Sequence, residues 1–142
     1  MQAAVGTNDP RFGLMRGETR RLKILLVEDS EDIRLMLKRL LEMSGYDVTE
    51  AVNGEQAVQR AEMMLPDVIL MDLSLPRIDG LTATRRIRRM PNLKGTPIIV
   101  ITAHESADFQ AAALASGCNE YVNKPIDFVE LERLIKRFTR RH

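Results

Sequence analysis

A chain of 142 residues with 44% hydrophobic and 29% charged residues has the make-up of a soluble globular domain with a full core. Its formal net charge of +1 gives no electrostatic case for nucleic acid or membrane as an obligate partner, and no apolar run approaches the ~20 residues of a membrane span. The single cysteine, Cys118, excludes an internal disulfide and fits a reducing compartment, and with no signal-peptide core at the N-terminus the cytoplasm is the default location.

Residues 1–21 differ from the rest. Gly6, Asn8, Pro10, Gly13 and Gly17 break any periodicity, and Arg16, Arg20 and Arg21 add charge. Three readings stand: a flexible N-terminal arm, a start-site artefact in which Met15 begins the chain, or linker from a longer parent. Residues 22–142 form one domain. Lys23 to Val27 is a strand ending in Glu28-Asp29. Ser30 or Asp29 caps a helix carrying Ile33, Met36, Leu37, Leu40 and Leu41 at helical spacing, and Gly45 stops it. Asp47 to Val52 is a second strand, closed by Asn53-Gly54. Ala57, Val58, Ala61 and Leu65 mark a second helix ending before Pro66.

Val68-Ile69-Leu70-Met71 is a continuous apolar run that stops at Asp72, the pattern of a strand buried on both faces. A loop with Pro76 and an Asp79-Gly80 turn leads to a third helix through Leu81, Thr84 and Ile87. Its Arg85, Arg86, Arg88 and Arg89 read as a solvated face rather than a binding patch. Ile98 to Ile101 is a fourth strand ending in Thr102. Ser106 caps an alanine-rich helix that Gly117 ends, and Cys118 reads as a small buried hydrophobe. Glu120 to Asn123 is a fifth strand ending in Lys124-Pro125. Asp127 to Glu130 opens a last helix as a capping box, with Phe128, Leu131, Leu134, Ile135 and Phe138 as its apolar stripe and its end near Thr139. Five strand–helix alternations demand right-handed crossovers and a doubly wound α/β fold, a parallel sheet covered on both faces.

Each long apolar strand ends in a chemically capable residue: Glu28 and Asp29, Asp72, Thr102, and Lys124 after the short fifth strand. A parallel sheet puts all of these ends on one edge, where open α/β folds bind ligands. Three carboxylates in one cleft repel unless a cation sits among them. Oxygen donors with no Cys or His cluster suit a hard divalent ion, Mg²⁺ rather than a calcium cage. Lys124 is a point charge for phosphate oxygens and Thr102 a hydrogen-bond donor. The inventory describes phosphoryl chemistry with a carboxylate able to attack phosphorus; a purely structural Lys124–Asp72 salt bridge leaves Glu28 and Asp29 unexplained.

These residues resemble the receiver domain of bacterial two-component response regulators. The matches are Leu26-Val27-Glu28-Asp29, Leu70-Met71-Asp72 with Pro76 and Gly80, Ile101-Thr102-Ala103, and Tyr121 with Lys124-Pro125. The resemblance covers roughly Arg21 to Arg140. It implies a flavodoxin-like three-layer sandwich with strand order 2-1-3-4-5. It makes Asp72 the phospho-acceptor, supplied by a phosphohistidine on a histidine kinase or phosphotransfer protein. Glu28, Asp29, Asp72 and the Ser74 carbonyl would hold Mg²⁺, with Glu28 direct or through water. Thr102 would move its hydroxyl to the phosphoryl group, Tyr121 would change rotamer, and Lys124 would pair with the phosphoryl oxygens. Ser74 and His104 stand where the family tunes dephosphorylation; without the resemblance His104 is a surface residue. A cis Lys124–Pro125 peptide is also implied, although only ~5–6% of X-Pro bonds are cis.

The implied protein is a signalling domain rather than a turnover enzyme, limited to its own phosphorylation and slow hydrolysis. It would act as a monomer or weak phosphorylation-dependent dimer, without binding DNA or membrane, and signal to an effector protein through helix four, strand five and helix five. The alternatives are a receiver segment of a hybrid kinase or multidomain regulator, a receiver that no longer takes phosphate, an FMN carrier of the same topology, and an aspartyl-nucleophile phosphatase of the haloacid dehalogenase type. The phosphatase needs a second Asp where Ser74 stands, and the first strand–helix loop offers carboxylates where FMN phosphate needs amides and hydroxyls.

Overall fold

The computed structural model describes residues 20–73 and 79–140, with backbone alone at Asp79. The described elements are β1 Lys23–Val27, α1 Glu31–Met43, β2 Asp47–Ala51, α2 Gly54–Met64, β3 Val68–Asp72, α3 Asp79–Arg88, a 3-10 turn Pro91–Leu93, β4 Ile98–Thr102, α4 Ala107–Ala115, β5 Glu120–Asn123 and α5 Phe128–Thr139. All neighbouring strands pair in parallel, in the order β2-β1-β3-β4-β5, which is the expected 2-1-3-4-5.

The alternation of side chains along each strand divides the core into two layers. Leu25, Val27, Ile69, Met71, Ile98 and Val100 face Ala57, Val58 and Ala61 of α2, Ala83 and Ile87 of α3, and Ala113 of α4. Ile24, Leu26, Val68, Leu70, Ile99, Ile101 and Val122 face Leu37 and Leu41 of α1 and Leu131, Leu134 and Ile135 of α5. Every residue of β3 and β4 is buried, as central strands covered on both faces must be. The helix starts follow their caps. Ser30 Oγ accepts from the Ile33 amide, Asn53 Oδ1 from Gln56, Ser106 Oγ from Phe109, and Asp127 from Val129 and Glu130. The Lys124–Pro125 peptide is cis.

Several local expectations change. Asn53 is the cap of α2 and Gly54 its first residue, so the pair starts a helix rather than closing a turn, and Asp79 and Gly80 likewise open α3. Glu130 does not complete a reciprocal capping box; its carboxylate pairs with Arg133 one turn on. Met36 and Leu65, placed on apolar stripes by spacing, are 52% and 45% exposed. Leu65 is the left-handed C-cap of α2, φ 48°, which turns its side chain off the helix face.

The largest change concerns Arg88. It lies one turn after the fully buried Thr84, on the inner side of α3, and is only partly exposed. Its Nη1 donates to the carbonyls of Leu93, Lys94 and Thr96 at 2.9, 2.9 and 2.8 Å. Nε and Nη2 donate to the Gly117 carbonyl at 3.0 and 2.9 Å, and Nη2 also reaches Asn119 Oδ1 at 3.0 Å. One guanidinium thus ties α3, the 3-10 turn and the α4–β5 turn together. The Asn119 side chain carries the link on to the Ile98 amide at the start of β4. Gly117 sits at φ +112°, and a Cβ there would lie 3.0 Å from Arg88 Cγ, so both conformation and space call for glycine. Arg88→Met, which strands several carbonyls, is expected to cost about 2–4 kcal/mol in denaturant unfolding. Arg85→Met and Arg86→Met on the exposed side should each cost under ~0.5 kcal/mol.

Candidate functional site

Parallel pairing brings the carboxyl ends of the strands to one edge. Val27 pairs with Met71, Asp72 with Ile101, and Thr102 with Asn123. The ladder continues past the strands through the amides of Glu28 to Ala51, Leu73 to Ile101, and Lys124 to Thr102, at 3.0, 2.9 and 2.8 Å. These bonds hold the backbone beside every functional group. Asp72 is 0% exposed, Glu28 2% and Thr102 1%, while Asp29 stands at the rim, exposed.

Lys124 Nζ donates to Asp72 Oδ2 at 3.2 Å, across 52 residues of sequence. Glu28, Asp29 and Asp72 each place a carboxylate oxygen within 4.8 Å of the others. A hard cation with ligands at 2.0–2.1 Å needs donors separated by up to about 4.2 Å, within small side-chain rotations of this spacing. Glu28 Oε2 accepts from the Ser30 amide at 3.0 Å, whereas Oε1 is a buried oxygen that meets no donor among the described residues. An orphaned carboxylate oxygen facing two more acids is the arrangement a divalent cation would complete, and the donor set is oxygen throughout.

The same arrangement perturbs Glu28. Burial, and then the Asp72 carboxyl with which it can share a proton, push it from an ordinary 4.5 up to about 8. Burial also raises the Cys118 thiol to about 11, which fits the inert buried cysteine expected from sequence.

Thr102 Oγ1 accepts from the His104 amide at 2.9 Å, so the hydroxyl is held at the start of the β4–α4 loop. His104 is exposed, its ring 4.4 Å from that of Phe109 between centroids. The Tyr121 hydroxyl donates to Gln110 Oε1 of α4 at 2.8 Å. Ser74 lies outside the described residues. Gly80 packs where a Cβ would sit 3.3 Å from the Asp72 carbonyl, so α3 abuts the backbone of Asp72 closely. Glu28, Asp29, Asp72, Thr102 and Lys124 are therefore gathered at one edge, with Tyr121 a step away beside α4. Sequence reasoning passed over Gln110, the partner of Tyr121. It also passed over Arg34, whose Nη1 donates to the Glu28 carbonyl at 3.1 Å and whose Nε donates to Glu50 of β2 at 2.8 Å. Neither residue carries a local signal, because each acts through reach across elements.

A profile of the response regulator receiver domain matches residues 24–136. The chain belongs to this family. The receiver is 34% identical to a response regulator structure from Chloroflexus aurantiacus, covering 86% of this chain and 100% of that one with a TM-score of 0.80. It is 39% identical to the receiver domain of the sensor histidine kinase PA1611 from Pseudomonas aeruginosa, which has magnesium coordinated in its active-site cleft (84% and 98% coverage, TM-score 0.78). Among curated relatives, a 14.6 kDa protein of Leptolyngbya boryana from the sodA1 3' region is 36% identical over 83% of this chain and 90% of its own length. The phosphate regulon transcriptional regulatory protein PhoB of Rhizobium meliloti is 35% identical over 84% of this chain, which spans 52% of that regulator. The receiver has no helix, among the described residues, long and apolar enough to cross a membrane.

The raised Glu28 value fixes the sign of a pH effect. The folded state binds this proton more tightly than the unfolded chain, so metal-free stability is fullest below about pH 4.5 for this group and falls as pH rises toward about 8. Urea midpoints of metal-free protein are expected to drop across that window, and Glu28→Gln should flatten the slope.

Proposed function

We propose that this receiver accepts a phosphoryl group on Asp72 from a phosphohistidine donor, with Mg²⁺ held by Glu28, Asp29 and Asp72 and by the Ser74 carbonyl. The observation that carries the reading is the Asp72 carboxylate, buried beside the acidic pair and bonded to Lys124. An Asp72 oxygen forms the new bond to phosphorus as the donor's P–N bond breaks, and the bond pair returns to the imidazole nitrogen, which takes up a proton. Bound Mg²⁺ supplies positive charge against the phosphoryl oxygens. Lys124 transfers its contact from Asp72 to a phosphoryl oxygen, and Glu28 and Asp29 hold the cation's side of the cleft. The role is a signalling one, and slow hydrolysis of the aspartyl phosphate, tuned at Ser74 and His104, returns it to rest. The family match gives the phosphatase alternative no support.

Output leaves through α4, β5 and α5. Thr102 exchanges the His104 amide for the phosphoryl group, which loosens the β4–α4 loop, and Tyr121 is released from Gln110. This face carries exposed Ala111, Ala112 and Leu114 on α4 and a cavity of about 380 Å³ between β5 and α5, lined by Tyr121, Pro125, Leu134 and Arg137 among others. The receiver of such a face docks an effector protein, in the cytoplasm, as a monomer or weak phosphorylation-dependent dimer, with no direct contact to DNA or membrane. A second reading, that the face acts on a further domain of a longer protein, is favoured by the half-length match to transcriptional regulators.

A small phosphodonor with Mg²⁺ is expected to add one phosphoryl mass to the chain, mapped to Asp72 by peptide mass spectrometry. Asp72→Asn should take up none; a modified residue elsewhere with Asp72 intact overturns the assignment. In the phosphorylated state, amide resonances of Gln110 and Tyr121 should shift. Thr102→Ala should take up phosphoryl yet leave those resonances where they are in the resting protein.

A further inference from the structure

Arg34 is an odd residue at its position. It lies near the N-terminal end of α1, where the helix dipole disfavours a cation. Its side chain is nevertheless only 13% exposed, drawn back from solvent onto two acceptors. One is the Glu50 carboxylate of β2, which Lys38 also holds at 3.5 Å. The other is the main-chain carbonyl of Glu28. That carbonyl belongs to the peptide joining Glu28 to Asp29, so its orientation sets where both acidic side chains start. The Glu28 amide is already fixed by the Ala51 carbonyl. With Arg34 on the carbonyl, the residue is pinned at both ends to β2, directly at one end and through Glu50 at the other.

We infer that Arg34 is a positioning residue for the acidic pair, holding the Glu28–Asp29 peptide so that both carboxylates face Asp72 ready for a cation. The inference rests on the metal reading of the site given above. Glu28 is buried and has the Ser30 amide to orient it. Asp29 is exposed, and packing does little to orient its side chain. Its direction depends on the backbone that carries it, and Arg34 fixes that backbone from outside the cleft. Groups that orient metal ligands commonly change affinity 10–100-fold when removed.

The discriminating variant is Arg34→Lys. A lysine keeps a point charge for the Glu50 ion pair but carries its donors on one atom, without the separate Nε and Nη1 that reach Glu50 and the Glu28 carbonyl. The clip between α1 and β2 should survive while the hold on the Glu28 carbonyl is lost. Arg34→Lys is therefore expected to melt close to wild type yet bind Mg²⁺ at least about tenfold more weakly by isothermal titration. In metal-free protein, the Ser30 amide should exchange about tenfold faster with solvent, because its acceptor on Glu28 wanders, while the amides of Leu25 and Leu26 keep their protection. If the lysine variant melts early, Mg²⁺ affinity and Ser30 exchange are read well below its melting temperature, where the chain is folded. Wild-type Mg²⁺ affinity in the folded variant, or unchanged protection at Ser30, overturns the inference. A wild-type chain that takes up no Mg²⁺ removes the metal reading instead, and the Ser30 exchange rate then decides the positioning role by itself.

Discussion

Parallel pairing is the constraint from which the site follows. Once β1, β3, β4 and β5 run the same way, Glu28, Asp29, Asp72, Thr102 and Lys124 must share an edge, although Glu28 and Lys124 lie 96 positions apart in the chain. The two-layer core enforces that direction. A one-residue slip of β3 would turn Ile69 and Met71 from the layer of α2 and α3 toward that of α1 and α5, and would move Asp72 with them. Burial of β3 and placement of its terminal carboxylate are thus one structural fact.

The cost of that placement is electrostatic. Burial beside Asp72 disfavours charge on Glu28, and the Lys124 ammonium offsets only part of it. A cation among the three acids would offset that cost. Among the described residues, the Thr102 and Tyr121 hydroxyls each have a single hydrogen-bond partner, the His104 amide and Gln110. By contrast Arg88 makes six donor contacts that lock the α3 side and the start of β5. The turn that follows α4 is thereby anchored to α3.

Much of this was legible in the sequence, for a physical reason. Buried parallel strands read as unbroken apolar runs, and the residue that ends each run is at the edge by construction. Val68 to Asp72 and Ile98 to Thr102 therefore announce the fold and the edge at which the candidate site residues meet. Side chains that work by reach were not legible. Arg88 sat in a run of arginines that spacing assigned to solvent, and only its position one turn beyond Thr84 sets it apart. Gln110 and Arg34 lie on helices as ordinary polar residues, and their partners are 11 and 6 residues away along the chain but on other elements or turns. Met36 and Leu65 show the reverse error, in which correct helical spacing put an apolar side chain at the margin of the buried face. Residues 74–78, among them Ser74, lie outside the described residues.

The proposed convergence of the acids, Thr102 and Lys124 on one phosphoryl group at Asp72 is open to a crystal structure with Mg²⁺ and beryllium trifluoride, a stand-in for that group. The expected structure has the beryllium atom bonded to an Asp72 oxygen, the ion against Glu28, Asp29 and Asp72, and both Lys124 Nζ and Thr102 Oγ1 within hydrogen-bond distance of fluorine. Beryllium bound elsewhere, or Thr102 still accepting from the His104 amide and Lys124 still on Asp72 Oδ2 with the group in place, would contradict it.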